Sequence, residues 1–293
     1  MALDRPVQPP DKPTPADPPA PDTPPDPWGV ANLTRTQAFE SLRAKAAAPD
    51  SSAPLTDHPR DYWAEAPQLA NQWHAHRERW PEQPSSEPRW VLGPDQAKEA
   101  ADSIGQIAAA ERTVSDDIKG VEGDSNPRGW LEGFSFRLKG QERLQEKIAS
   151  AYETSSPDAT IGEITGRIPD AIRYTYCFSE RDYTAGYYSV KEGLEERGYH
   201  MYKSKNSWDD PEYKGINTRW ITAEGQIFEV QFHTPESFHA KHEVTHEAYE
   251  RIRDPGTSDI ERRELSIFQR EVSTWIPIPD GVSRIADYSE KGH

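Results

Sequence analysis

The run 226–234, Gln-Ile-Phe-Glu-Val-Gln-Phe-His-Thr, constrains this chain more than any other stretch. Its alternation is that of a strand, because successive side chains of an extended backbone point to opposite faces. Phe228, Val230 and Phe232 fall on one face, and Glu229, Gln231 and His233 on the other. The apolar face requires a sheet covered on that side. The acid, amide and imidazole opposite are the raw material of a site. Two more segments read as strands: 168–178 carries Asp170 and Cys177, and 213–220 carries Tyr213 and Asn217.

Around these strands the spacing of apolar residues predicts helices. Ile104, Ile107, Val114, Ile118 and Val121 recur at helical intervals over 95–121. Phe134 and Phe136 alternate as at a strand end, and a helix follows with Leu144, Ile148 and Tyr152 inward. Further helices are expected over 183–197, 235–252 and 259–275, a strand over 199–202 and a polar loop over 203–213. Thr234 followed by Pro235 marks a helix start. The pattern predicts an α+β fold, a mixed sheet flanked by helices.

Only 34% of the 293 residues are hydrophobic and 27 are proline, so part of the chain is expected to pack no core. Eleven of those prolines lie in residues 1–27, a segment expected to be disordered. Residues 28–91 read as a linker or partner-binding segment with short helices over 33–48 and 62–80. Tyr62, Trp63, Leu69, Trp73 and Trp80 would anchor the second. Residues 92–293 form the main domain in this reading.

The net charge of −16 is not confined to the tail: from Val91 onward there are 25 basic and 37 acidic residues. That balance argues against a duplex nucleic-acid binder, whose phosphate contacts need a basic excess. Any phosphate site must then be a local cluster of cations. Arg137, Lys139, Arg143 and Lys147 form such a cluster, the last three in one stripe if the helix reaches back to Lys139. The single cysteine, Cys177, excludes an internal disulfide and a cysteine-built zinc site, and reads as a buried inert thiol. No run approaches the roughly 18 apolar residues of a membrane span, and the N-terminus has no apolar signal region, so no membrane partner is expected.

Two motifs compete for the chemistry. His242-Glu-Val-Thr-His246 is HExxH on a predicted helix, the pattern of a zinc peptidase with Glu243 as base and Glu261 or Glu264 as third ligand. The other joins separated segments. Arg137-Leu-Lys139 with Arg143 and Lys147 precedes Asp170-Ala-Ile-Arg-Tyr-Thr. Tyr213-Lys-Gly-Ile-Asn217 follows, then Glu229-Val-Gln-Phe-His-Thr234 and His246-Glu-Ala-Tyr249.

In that order these segments resemble the RelA/SpoT-type alarmone synthetase family, in particular its single-domain, toxin-like nucleotide 3′-pyrophosphokinases. The resemblance covers about 92–285. It implies a nucleotidyltransferase-like fold and transfer of pyrophosphate from ATP to the 3′-hydroxyl of an acceptor nucleotide, giving (p)ppNpp-type products and AMP. Arg137, Lys139, Arg143 and Lys147 would hold the ATP phosphates, with Lys203 and Lys205 as mobile helpers. Asp170 and Glu229 would bind Mg²⁺, and Glu229 would take the hydroxyl proton. Tyr213 would stack on the acceptor base beside Asn217, Gln231 and His233.

The resemblance further implies a toxin or effector acting in a cytoplasm, with an antitoxin or immunity protein as partner. Secretion or delivery into another cell would need a route other than a signal peptide. Pyrophosphorylation of the tRNA 3′ end is the alternative within the same chemistry, disfavoured by the acidity of the domain. Arg173, Asn217 and His233 depart from the family's pattern, which leaves the acceptor open.

Overall fold

Alternation along the strands becomes a six-stranded mixed sheet in the computed structural model, which describes residues 61–80 and 91–290. The disordered segment expected over 1–27 and the helix expected over 33–48 lie outside the described residues. In chain order the strands are β1 (Trp130–Leu131), β2 (Arg173–Cys177), β3 (His200–Asn206), β4 (Ile216–Ile221), β5 (Ile227–His233) and β6 (Tyr288–Ser289). Across the sheet they run β1-β2-β5-β4-β3-β6. Only β2 and β5 pair in parallel; the other neighbours are antiparallel. The helices are α1 (Tyr62–Glu65), α2 (Pro67–Arg79), α3 (Pro94–Asp124), α4 (Gln141–Glu153), α5 (Ile161–Gly166), α6 (Tyr183–Glu196), α7 (Pro235–His239), α8 (His246–Arg253) and α9 (Asp259–Ser273). The α+β class and the mixed sheet flanked by helices are those expected.

One face of the sheet is the core. Tyr174 and Tyr176 of β2, Ile216, Thr218 and Trp220 of β4, and Phe228, Val230 and Phe232 of β5 are all buried there. α3 covers them with Ile104, Ile107, Val114, Ile118 and Val121. Two hydroxyls tie the layers together: Tyr176 donates to the Ile118 carbonyl at 2.6 Å, and Tyr174 lies 3.0 Å from Ser115 Oγ. α6 packs beside α3, with Tyr187 against Phe232 at 4.9 Å between ring centroids. Cys177 is buried, as its place in an apolar run implied.

Several boundaries differ from the sequence expectation. Phe134–Phe136 is a 3₁₀ turn, not a strand end, because Gly133 enters it at φ 60° in the left-handed region. α4 starts after Gly140, so Lys139 lies outside it; its N–H bonds the Ala171 carbonyl at 3.0 Å. Asp170 stands in a 3₁₀ turn (Pro169–Ala171) just before β2 rather than on the strand. β3 extends through Lys203 and Lys205 to Asn206, so these lysines belong to a strand and not to a loop. A bulge between Met201 and Lys203 breaks the simple alternation that would have revealed it. The helix expected over 235–252 is interrupted by a π turn at Ala240–Val244.

The described part of the N-terminal region packs on α9. Trp73 stacks on Phe268 at 5.0 Å, and Tyr62 and Leu69 are fully buried. His76 lies 3.6 Å from Glu261 and 3.7 Å from Glu264.

Among the described glycines the closest packing is at Gly186, where an added Cβ would come within 2.3 Å of the buried Phe178 ring. Gly186→Ala should therefore cost about 1–3 kcal/mol of stability through overpacking. Gly105→Ala, on the exposed side of α3 with no atom within 4 Å, should stabilise by about 0.5–1 kcal/mol. Chemical denaturation of both variants checks the contrast.

Candidate active site

The sheet's second face is polar, and its pairing register sets polar groups in rows. One row runs Lys203 (β3), Arg219 (β4), Glu229 (β5), Arg173 (β2); residues directly opposite on paired strands share a face. The next runs Lys205, Asn217, Gln231, Thr175, and a third pairs His233 with Cys177. Glu229 thus lies between two arginines that the sequence reading left out of the site. Arg219 was within its reach, since it lies two residues beyond Asn217 on the same face of the same strand.

Glu229 is nearly buried, at 8% exposure. Gln231 Nε2 donates to its Oε1 at 2.6 Å, and Gln231 Oε1 accepts from Lys241 Nζ. Lys241 stands in the π turn, a geometry that recurs at functional sites. Burial, and after it the charge of Arg173, bring its ammonium down to about 7. Lys241 has no local signal in the sequence, because a turn from a different layer carries it over the sheet.

Tyr213 closes the end of this face, its hydroxyl donating to Asn217 Oδ1 at 2.9 Å and lying 3.1 Å from His233 Nε2. Burial, and then the Glu229 charge, push the phenol above its ordinary value. His233 Nδ1 lies 2.9 Å from Ser237 Oγ; burial, then the Lys241 and Arg173 charges, hold the imidazole well below its ordinary value and so neutral. Four residues assigned to the acceptor side, Tyr213, Asn217, Gln231 and His233, therefore adjoin one another. The Lys241 ammonium lies 5.8 Å from the Tyr213 ring centroid, a cation beside the stacking surface.

The basic cluster divides. Lys139 and Lys147 both reach Asp170, Lys139 at 3.2 Å. Burial alone would raise the Asp170 carboxyl, but the Lys147 hydrogen bond and the two ammonium charges outweigh it and hold it down at about 2. Arg137 instead pairs with Glu111, a carboxylate of α3 buried to 1% exposure, and packs on Phe134 at 4.7 Å. Its backbone carbonyl accepts from Arg173 N–H at 2.7 Å, so Arg137 also supports the start of β2. Arg143 is exposed to solvent beside Glu146, at 3.5 Å. Lys203 and Lys205 face the same side as Glu229 and Gln231 from the far strand; Lys205 is 4.0 Å from Asp287.

The HExxH reading fails on geometry. His242 sits in the π turn and His246 begins α8 after a break at Thr245; their rings stack at 6.5 Å between centroids, but among the described residues no carboxylate joins them as a third ligand. His242 packs on Phe238 at 4.2 Å between ring centroids, and Tyr249 is 46% exposed. Glu261 is bound by Arg251, and Glu264 by Arg79 and Trp80. Among the described residues no three His, Cys, Asp or Glu side chains converge as a zinc ion would need.

A magnesium ion asks for less. It takes oxygen donors, one or two of them carboxylates, and fills its octahedron with substrate phosphates and water. Asp170 fits as an ionised donor already balancing two cations. Glu229 fits because Gln231 engages only its Oε1.

No family model matches the chain, and no curated protein matches it. Among solved structures, the type VI effector Tas1, in complex with its immunity protein, aligns with 67% of this chain and 100% of that one. The identity is 19% and the TM-score 0.43. The structure of smu.1046c from Streptococcus mutans UA159 aligns with 60% of this chain and 88% of that one, at 16% identity and a TM-score of 0.36. No helix among the described residues is long and apolar enough to cross a membrane.

The Asp170 pairing has a pH signature. Its carboxyl titrates at about 2 in the fold against 3.8 ordinarily, so it stabilises the fold fully above about pH 5, and the contribution fades as pH falls toward 2. The size is on the order of 2 kcal/mol. In urea unfolding at pH 5, 4 and 3, the stability gap between the native protein and Asp170→Asn should narrow with falling pH.

Proposed function

We propose that the protein is a nucleotide 3′-pyrophosphokinase, transferring the β,γ-diphosphate of ATP to a ribose 3′-hydroxyl of an acceptor nucleotide. The observation that carries the reading is the row in which Glu229 lies between Arg173 and Arg219, with Lys203 beyond. A nearly buried carboxylate held by an amide, in a row of cations on the polar sheet face, suits a reaction that must deprotonate a hydroxyl while holding phosphate oxygens. At a net charge of −16, attraction of such a substrate calls for a local cationic field.

In this mechanism the 3′-hydroxyl oxygen attacks the β-phosphorus as its proton passes to Glu229. A bond forms between that oxygen and the β-phosphorus. The bond from the β-phosphorus to the oxygen bridging to the α-phosphorus breaks, and AMP leaves with that oxygen. Lys139 and Lys147 hold phosphate oxygens, joined by Arg173, Arg219 and Lys203 from the sheet. Mg²⁺, held by Asp170 and Glu229, would supply charge neutralisation and orientation of the phosphate chain. Tyr213 offers a base a flat face worth about 1–3 kcal/mol of stacking. In the setting of a toxin or effector, an immunity protein would be the natural partner.

The test supplies γ-labelled ATP and Mg²⁺ with each nucleotide in turn, and with tRNA, and follows label and AMP. Label should move to a nucleotide in step with AMP release; no transfer to any acceptor would sink the reading. Glu229→Gln should lower kcat about 10²–10⁴-fold while ATP still binds.

A further inference from the structure

We propose that Lys241 is a positioning residue for Glu229, acting through Gln231, whose amide it locks in the one orientation that lets it donate to the carboxylate. The inference rests on the reading of Glu229 as proton acceptor and adds a residue to it.

The argument is one of donors and acceptors. An ammonium has donors only, and a carboxylate only acceptors, while an amide has one end of each kind. Lys241 Nζ donates to Gln231 Oε1, and Gln231 Nε2 donates to Glu229 Oε1 at 2.6 Å. Turning the amide over would set NH₂ against ammonium and carbonyl against carboxylate, two repulsive contacts in a nearly dry site. Gln231 is 5% exposed and Glu229 8%, so water cannot readily substitute. With Lys241 removed, Gln231 loses what fixes it. Glu229 is then free to turn toward the charges of Arg173 and Arg219, its neighbours in the row. A carboxylate drawn onto an arginine is a weaker and misplaced base.

The groups facing Lys241 are Arg173 and Cys177 on β2, Glu229 and His233 on β5, Tyr213 from the loop before β4, and His242 on its own turn. Arg173 opposes its charge and Glu229 favours it, burial weighing more than either. An ammonium brought down to about 7 loses its proton as pH rises through neutrality, and its charge-assisted bond to the amide weakens with it. Transfer should therefore fall on the alkaline side of about pH 7.

The experiment compares the full chain with Lys241→Met, Lys241→Arg, Gln231→Leu and the Met/Leu double variant, using the acceptor that the native protein labels. Lys241→Met should lower kcat about 10–100-fold and leave KM for ATP within about threefold, the loss typical of a group that supports a reacting one. Lys241→Arg, charged at all working pH values, should restore most of kcat and abolish the alkaline fall. Gln231→Leu should match Lys241→Met, and the double variant should be no worse than either, since both remove one chain of bonds. Native kcat and pH profile in Lys241→Met, or multiplicative losses in the double variant, would overturn the proposal. If the native protein labels no acceptor, the functional reading falls, and a crystal structure of Lys241→Met decides the positioning claim alone. Glu229 swung off Gln231 upholds it; both side chains in native rotamers refute it.

Discussion

Parallel pairing of β2 with β5 sets Arg173 opposite Glu229 and carries the Asp170 turn to the edge of the same row. Antiparallel β4 adds Arg219 on the other side of Glu229. Everything chemical on the sheet depends on that register. Side chains alternate with a period of two, so a slip of one residue in β5 would bury Glu229 under α3 and bring Val230 to the open face. The apolar set Phe228, Val230 and Phe232, all fully buried, forbids the slip. The same burial that folds the sheet thus fixes the carboxylate to within a side-chain rotamer.

Two ion-paired carboxylates frame the site and play different parts. Glu111 would be a buried, uncompensated charge on the apolar stripe of α3 without Arg137, Ser115 and Tyr174 around it. Breaking such a pair leaves one desolvated charge behind, which is strongly destabilising. Arg137 is therefore tied to holding α3 against the start of β2. The Asp170 pairs are more exposed: the Lys139 and Lys147 side chains are 25% and 38% accessible. Those lysines can exchange a carboxylate for a phosphate at little desolvation cost, which Arg137 cannot do.

The alternation of β5 was readable because one apolar face sufficed to orient it, and with it came Glu229, Gln231 and His233. Asp170 and the lysines that meet it were readable as a group only through order along the chain, since residues 139 and 170 meet across a 3₁₀ turn that no periodicity announces. Arg173 and Arg219 required the register, which is a property of pairs of strands and not of either alone. Lys203 was named as a candidate, but its place on a strand rather than in a loop was hidden by a bulge. Lys241 was hidden twice, by a π turn that breaks the helical repeat and by an HExxH pattern that drew notice to its neighbours. Within that segment His242 packs on Phe238, four residues earlier.

These differences bear on how an acidic protein could handle a polyanion. Around Asp170 the charges already balance with excess cation: one carboxylate, two ammoniums. When a phosphate chain arrives in the proposed reaction, each lysine that moves to a phosphate oxygen leaves Asp170 more exposed as an anion, and a dication bound there becomes more favourable. Substrate and metal would then assist each other through a shared pool of counter-charge. Glu229 differs in that its hydrogen-bond partner is an uncharged amide, held from behind by Lys241. The two carboxylates of the proposed site thus meet a substrate from different settings, Asp170 from between two ammoniums and Glu229 from a neutral hydrogen bond.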